Sequence, residues 1–221
     1  MRMRKKPNLI PRMEKCAHLS VADPAELRGQ WLSEFKEFDS LYLEIGCGKG
    51  RFTVETAKAE PHAFLVGLER VADALVIAME RANADGLLNA RFLARDAKTL
   101  PEIFAPGEVS RIYLNFSDPW PDRKHAKRRL TSETFLPIYR EILSPDGEIH
   151  FKTDNLPLFE YSLKQLEAGG FELFDVTRNL HAEGPRGVMT DYELKFFEQG
   201  VSINRCVAKR IFKNSGEAVN G

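Results

Sequence analysis

The sequence predicts an α/β fold: a mostly parallel sheet with helices on both faces. Short apolar runs at 41–45, 64–68, 90–94, 111–115 and 148–152 read as strands, and their alternation with helical stretches implies a mostly parallel sheet covered on both faces. Helical patterns lie between them, at 51–59, stopped before Pro61, and at 71–84, closed near Gly86. Strands alternating with helices imply βαβ units. A chain of 221 residues suits one such domain, since a single core stops growing only near about 250–300 residues.

In chain order, residues 1–20 form a basic arm with Arg2, Arg4, Lys5, Lys6, Arg12 and Lys15 against the single acid Glu14, broken by Pro7 and Pro11. It is expected to be flexible, with the domain proper spanning 21–214 and a tail at 215–221. Asp23-Pro24-Ala25-Glu26 has the cap, first-turn proline and following acid of a helix start, and Leu27, Trp31 and Phe35 then share one apolar stripe. After the fifth strand, Leu156, Phe159, Leu163 and Leu166 mark a helix over 155–167 that ends at Gly169-Gly170. Apolar runs at 171–177 and 201–212 flank a further helix at 191–198 and bring the expected strands to seven.

Composition removes several classes. No apolar run approaches the roughly 18 residues of a membrane span, and prolines stand where a signal peptide has its apolar stretch. Three cysteines, Cys16, Cys47 and Cys206, are an odd number at spacings that suit neither zinc nor a disulfide framework. The expectation is a cytoplasmic protein without a metal site or a membrane role. Lys plus Arg and Asp plus Glu both total 32, so net charge points to no partner. Its distribution does: beside the arm, Arg123-Lys124-His125-Ala126-Lys127-Arg128-Arg129 carries five cations and no acid. Two basic clusters on a neutral chain suggest a local polyanion site, although either alone reads as a solvated segment.

Chemistry is expected at the carboxyl ends of the strands, where ligands of open α/β sheets bind. Leu41 to Ile45 runs through Glu44 into Gly46-Cys47-Gly48-Lys49-Gly50. Glycines permit a sharp turn and close approach of a ligand. Arg51 stands where a dinucleotide fold places its third glycine, which disfavours NAD and a nicotinamide oxidoreductase. A ligand with a zwitterionic amino-acid end and a sulfonium tolerates Glu44, so S-adenosylmethionine fits better. Glu69 follows the second strand, about 20 residues after Gly48, where an acid accepting ribose hydroxyls belongs. Asp96 follows the third. Each acid alone is equally a helix cap, and the glycines equally a plain turn. Three acids leaving three successive strands make the cofactor reading stronger, and a noncatalytic RNA-binding module has no need of them.

The fourth strand leads into Asp118-Pro119-Trp120-Pro121. Two prolines stiffen this loop, leaving a carboxylate and a ring on which a base could stack. The basic run begins two residues later and would hold phosphates. The competing reading is a buried tryptophan and a turn aspartate.

From about residue 41 to 195 the chain resembles the bacterial tRNA (guanine-N(7)-)-methyltransferase family. The resemblance rests on Asp118-Pro119-Trp120, Lys127-Arg128-Arg129-Leu130, Lys152-Thr153-Asp154 and Thr190-x-Tyr192-Glu193 in that order. It implies a Rossmann-like class I methyltransferase fold, S-adenosylmethionine as cofactor, and tRNA as substrate, methylated at N7 of guanine 46 in the variable loop. Cofactor contacts are then implied for Glu44, Glu69, Asp96 and Asp118, beside Gly46, Gly48 and Gly50 of the turn, with Asp118 also catalytic. Substrate contacts are implied for Asp154, Thr190, Asp191, Tyr192 and Glu193, and RNA contacts for Lys124, His125, Ala126, Lys127, Arg128 and Arg129. One position departs: the family commonly has a substrate-binding lysine where this chain has Asp122, and Arg123 or Lys124 can supply that cation. Monomer and homodimer both stay open.

Two of these motifs carry structural readings as well. Thr190-Asp191-Tyr192-Glu193 is a capping box, and Asp154 precedes a helix as an N-cap would. Guanine N7 has an in-plane lone pair and no hydrogen, so no general base is needed. Asp118 is read as orienter and electrostatic stabiliser, with Asp154 and Glu193 suited to the guanine N1-H and amino edge. Asp-Pro-Pro-aromatic loops, to which Asp118-Pro119-Trp120-Pro121 is similar, serve methylation of exocyclic amines, the nearest alternative.

Overall fold

A computed structural model describes residues 8–211. In order these form α1 (Leu9–Lys15), α2 (Trp31–Glu34), β1 (Ser40–Ile45), α3 (Arg51–Ala59), β2 (Ala63–Leu68), α4 (Ala72–Ala84), β3 (Ala90–Leu93), α5 (Leu100–Ile103) and β4 (Val109–Asn115). Next come α6 (Leu136–Ile142), β5 (Leu143–Thr153), α7 (Leu156–Ala168), β6 (Phe171–Thr177), α8 (Asp191–Glu198) and β7 (Asn204–Arg210). The seven strands form one sheet in the order β3-β2-β1-β4-β5-β7-β6. Only β7 runs against its neighbours, pairing antiparallel with β5 and β6. The expected mostly parallel sheet of seven strands is therefore present. Among the described residues no helix is long and apolar enough to cross a membrane.

Side chains alternate between two cores because the strands are pleated. Leu41, Leu43 and Ile45 of β1 face the core shared with Trp31, α5, α6 and α7. Tyr42 turns to the other face, where Phe52, Leu75, Met79 and Phe92 pack among α3, α4 and β3. Strand order reverses at β1, since β2 and β4 flank it on either side. The carboxyl ends of β1, β2, β4 and β5 thus open at one edge, and β1 sits where a ligand crevice is expected.

Three local expectations change. The stripe Leu27, Trp31, Phe35 belongs to two short turns, a 3-10 turn over Pro24–Leu27 and then α2. Gly29 breaks the helix at φ 79°. The Glu108 carboxylate fixes the break by accepting from Gly29 N at 2.9 Å and Trp31 N at 3.0 Å. The expected free arm is docked from α1 onward: Cys16 and Leu19 are buried in the second core, and Arg12 Nε donates to Glu80 Oε1 at 2.6 Å. Residues 1–7 of that arm and the tail at 215–221 lie outside the described residues. Finally, the cap of α7 is Asn155, whose side chain accepts from Leu158 N at 2.8 Å, and not Asp154.

Candidate active site

The glycine turn is built as its spacing implies. Gly46, Gly48 and Gly50 all have left-handed φ, at 81°, 55° and 75°, a region that side-chain-bearing residues rarely enter. Around Gly46 and Gly48 nothing lies within 4 Å of where a Cβ would stand, so the backbone there is open to a ligand. Gly50 serves packing, because a Cβ there would overlap Ala78 of α4.

Acids line this opening. Glu69 Oε2 accepts from Gly48 N at 3.2 Å and its Oε1 from Val71 N at 2.8 Å, which ties the end of β2 to the turn while leaving lone pairs on both oxygens. Asp96 caps the following 3-10 turn through Lys98 N at 3.0 Å and meets Arg70 at 3.2 Å. Both are half-buried. Glu44 is only 3% exposed. Its oxygens accept from Thr53 Oγ1 and from Asn115 Nδ2 at 3.0 Å, while burial raises its carboxyl pKa against those hydrogen bonds. An open turn at the switch point with an ordered acid at the next strand end fits the adenosine and amino-acid ends of S-adenosylmethionine.

The loop leaving β4 is conformationally strained. Phe116 and Trp120 have φ of 52° and 40°, which costs on the order of 1–3 kcal/mol each and persists only where neighbours enforce it. Asp118 between them is exposed and has no hydrogen-bond or ion-pair partner among the described residues. Trp120 is half-buried beneath Arg128, whose guanidinium lies 4.9 Å over its ring, with the His125 ring 5.8 Å away edge-on. A base stacking on that face would have to displace Arg128.

The basic run is a 3-10 helix, Arg123–Arg128, preceded by Asp122. Asp122 pairs weakly with Lys124 at 4.0 Å and with His125 at 3.7 Å. Lys124 and Lys127 are exposed, Lys127 within 3.3 Å of Glu133. Ala126 holds the turn through its carbonyl, which accepts from Arg129 N at 3.1 Å. Arg129 differs from the rest: it turns inward onto the Pro119 and Trp120 carbonyls.

Sequence reasoning missed a buried polar centre at the end of β5. Lys152, with its side chain 8% exposed, donates to Glu193 Oε2 at 2.5 Å and to Val188 O at 2.9 Å. His181 Nε2 reaches Glu193 Oε1 at 3.0 Å. Burial pulls the Lys152 ammonium below its ordinary pKa, with Glu193 opposing that shift. The capping box is present: Thr190 Oγ1 accepts from Glu193 N at 3.0 Å and Glu193 Oε2 from Thr190 N at 3.2 Å. Glu193 is wholly buried, so it holds α8 in place and its carboxylate is not available to a guanine edge in this arrangement. Asp191 is committed too, with Arg81 at 2.8 Å and Arg51 at 4.0 Å. Tyr192, 61% exposed, and Asp154 are the exposed members of these motifs, while Thr190 and Asp191 are half-buried. The signal for the missed centre was Lys152 itself, a charge directly before Thr153-Asp154 at the end of the strand, where burial demands a partner.

Comparison with known proteins identifies the family and the fold. Residues 39–206 match the family model described as "Putative methyltransferase". A tRNA (guanine-N(7)-)-methyltransferase of Bacillus velezensis is 44% identical over 206 residues, covering 93% of this chain and 95% of its own. One of Geobacillus kaustophilus is 46% identical over 211 residues, covering 95% and 97%. Among solved structures, a 16S rRNA (adenine(1408)-N(1))-methyltransferase from Catenulisporales acidiphilia, determined with cosubstrate SAM, superposes with TM-score 0.64. That match has 15% identity and covers 89% of this chain and 95% of the other, and it speaks for the fold alone. The chain belongs to the tRNA (guanine-N(7)-)-methyltransferase family, whose members are S-adenosylmethionine-dependent enzymes.

Proposed function

We propose that this protein methylates tRNA in the cytoplasm, forming N7-methylguanosine at position 46 of the variable loop. The observation that carries the reading is Asp118, exposed and without a partner among the described residues, on a strained loop that leaves β4 beside β1 and its open glycine turn and leads into the basic helix. Glu69, Asp96 and Glu44 would hold the cofactor at its ribose, adenine and amino-acid ends, with the Gly46–Gly48 backbone against it. Bound there, S-adenosylmethionine supplies an electrophilic methyl group on a sulfonium.

The chain's own task is orientation. N7 carries its lone pair in the plane of the base and no proton need leave, so Asp118 acts by aligning the base and by favouring the positive charge that moves onto the purine. Alignment of this kind can supply about 7–11 kcal/mol of a barrier. Asp154 and Tyr192 would meet the guanine, while Lys152 and Glu193 keep the segment bearing Tyr192 in register. Arg123, Lys124 and Lys127 would take phosphates and set the tRNA on the surface. Incubation with labelled S-adenosylmethionine and unmodified tRNA, followed by nucleoside analysis, tests the reading: it requires label in 7-methylguanosine, and label in another nucleoside contradicts it.

A further inference from the structure

We infer that Arg129 is a positioning residue of the Asp118 loop and not one of the phosphate contacts of the basic run. This rests on reading residues 116–120 as the reaction end. Arg129 Nε donates to Pro119 O at 2.9 Å and Trp120 O at 3.3 Å, and its Nη2 donates to Trp120 O at 2.9 Å. The same guanidinium lies 4.3 Å over the ring of Tyr161 on α7. Its backbone is fixed as well, since Arg129 N donates to Ala126 O at 3.1 Å and Ser132 N donates to Arg129 O at 3.0 Å.

The loop has reason to need such a brace. Pro119 and Pro121 have no N–H to offer, so two of its residues cannot stabilise it through backbone donors. Trp120 between them sits at φ 40°, a conformation that relaxes unless its surroundings hold it. Arg129 supplies that hold from the far end of the basic helix and anchors it on α7 through Tyr161. Only a planar fork can donate to adjacent carbonyls while stacking on a ring; a lysine keeps the charge but offers a point donor. A residue that looks like its neighbours in sequence therefore has a different task, setting where the Asp118 carboxylate stands. Lys124 and Lys127 remain on the surface.

Charge and geometry are separated by comparing R129K with R129A in the full-length protein. The expected result is a fall in kcat for tRNA methylation on the order of 100-fold in both variants, as for a small misplacement of reacting groups. The dependence of log K for tRNA on log salt should stay as in wild type, and added millimolar guanidinium ion should restore part of the R129A turnover. Full turnover in R129K, with the salt slope of R129A lowered by about 0.7–0.9, would mark a phosphate contact and overturn the inference. A second readout needs no activity: Trp31 is fully buried, so acrylamide quenching reports Trp120. Quenching without RNA should rise in R129K and R129A and fall again with guanidinium in the latter; unchanged quenching contradicts the brace. Failure of the wild type to methylate tRNA would count against the proposed function and leave the quenching result to decide the brace.

Discussion

Lys152 and Glu193 form an ion pair of 2.5 Å in which the lysine side chain is 8% exposed and the glutamate not at all. It joins the end of β5 to the capping box of α8, and Lys152 also lies 5.0 Å from the ring of Phe52 at the start of α3. The segment with the exposed Tyr192 is thereby tied to α3, which follows the glycine turn.

Breaking one side of a buried pair leaves an uncompensated charge, which typically costs about 3–5 kcal/mol. K152M is expected to destabilise the protein by that order, and because Glu193 also caps α8 and meets His181, the pair is isolated by a cycle of K152M, E193Q and K152M/E193Q, in which the double variant should cost less than the sum of the two single ones. Urea denaturation of the four proteins checks this; strictly additive costs contradict the pairing.

Glu69 accepts from Gly48 N of the glycine turn and is the proposed ribose acceptor. E69A should weaken S-adenosylmethionine binding, since each hydrogen bond lost from a charged acceptor costs about 1.5–3 kcal/mol, and should leave tRNA affinity near that of wild type. Calorimetry with the cofactor and a tRNA binding titration separate the two. Unchanged cofactor affinity excludes Glu69 from the ribose site.

Stability should depend on acid in a definable window. A hydrogen bond from His150, with a further one from Lys209, holds the Glu148 carboxyl down at about 2 from its ordinary 4.5. A carboxyl depressed on folding stabilises above its unfolded pKa and loses that contribution as pH falls through its folded one. His150, pulled down from 6.5 chiefly by burial, acts in the same direction, because the unfolded chain takes up its proton first. Unfolding free energy should therefore decline below about pH 6.5 and further between 4.5 and 2. E148Q should flatten the lower part of that profile, and an unaltered profile in E148Q contradicts the assignment.

How much of this was legible in the sequence follows from the range of the forces involved. The central strands β1 and β2 could be read because burial on both faces writes an apolar run into the chain itself. The Trp31 region could not, because the carboxylate that breaks the helix belongs to Glu108, far along the chain. Glu193 was legible as a local cap, yet its burial depends on Lys152 and His181, which only the folded sheet brings together. Arg129 was indistinguishable from Arg128 by residue type; its inward turn depends on carbonyls that the Pro119-Trp120 bend presents.

The central claim is that N7 receives the methyl group. Replacing the target guanosine of a tRNA by 7-deazaguanosine puts a C–H where N7 stood and keeps the whole Watson–Crick edge, the stacking face and the phosphates. Binding should persist, because none of the proposed contacts of Asp154, Tyr192, Lys124 or Lys127 is removed. Methyl transfer measured on this tRNA should vanish while its affinity stays near that of the natural substrate; transfer at a near-normal rate would place the chemistry on an exocyclic amine and contradict the N7 assignment.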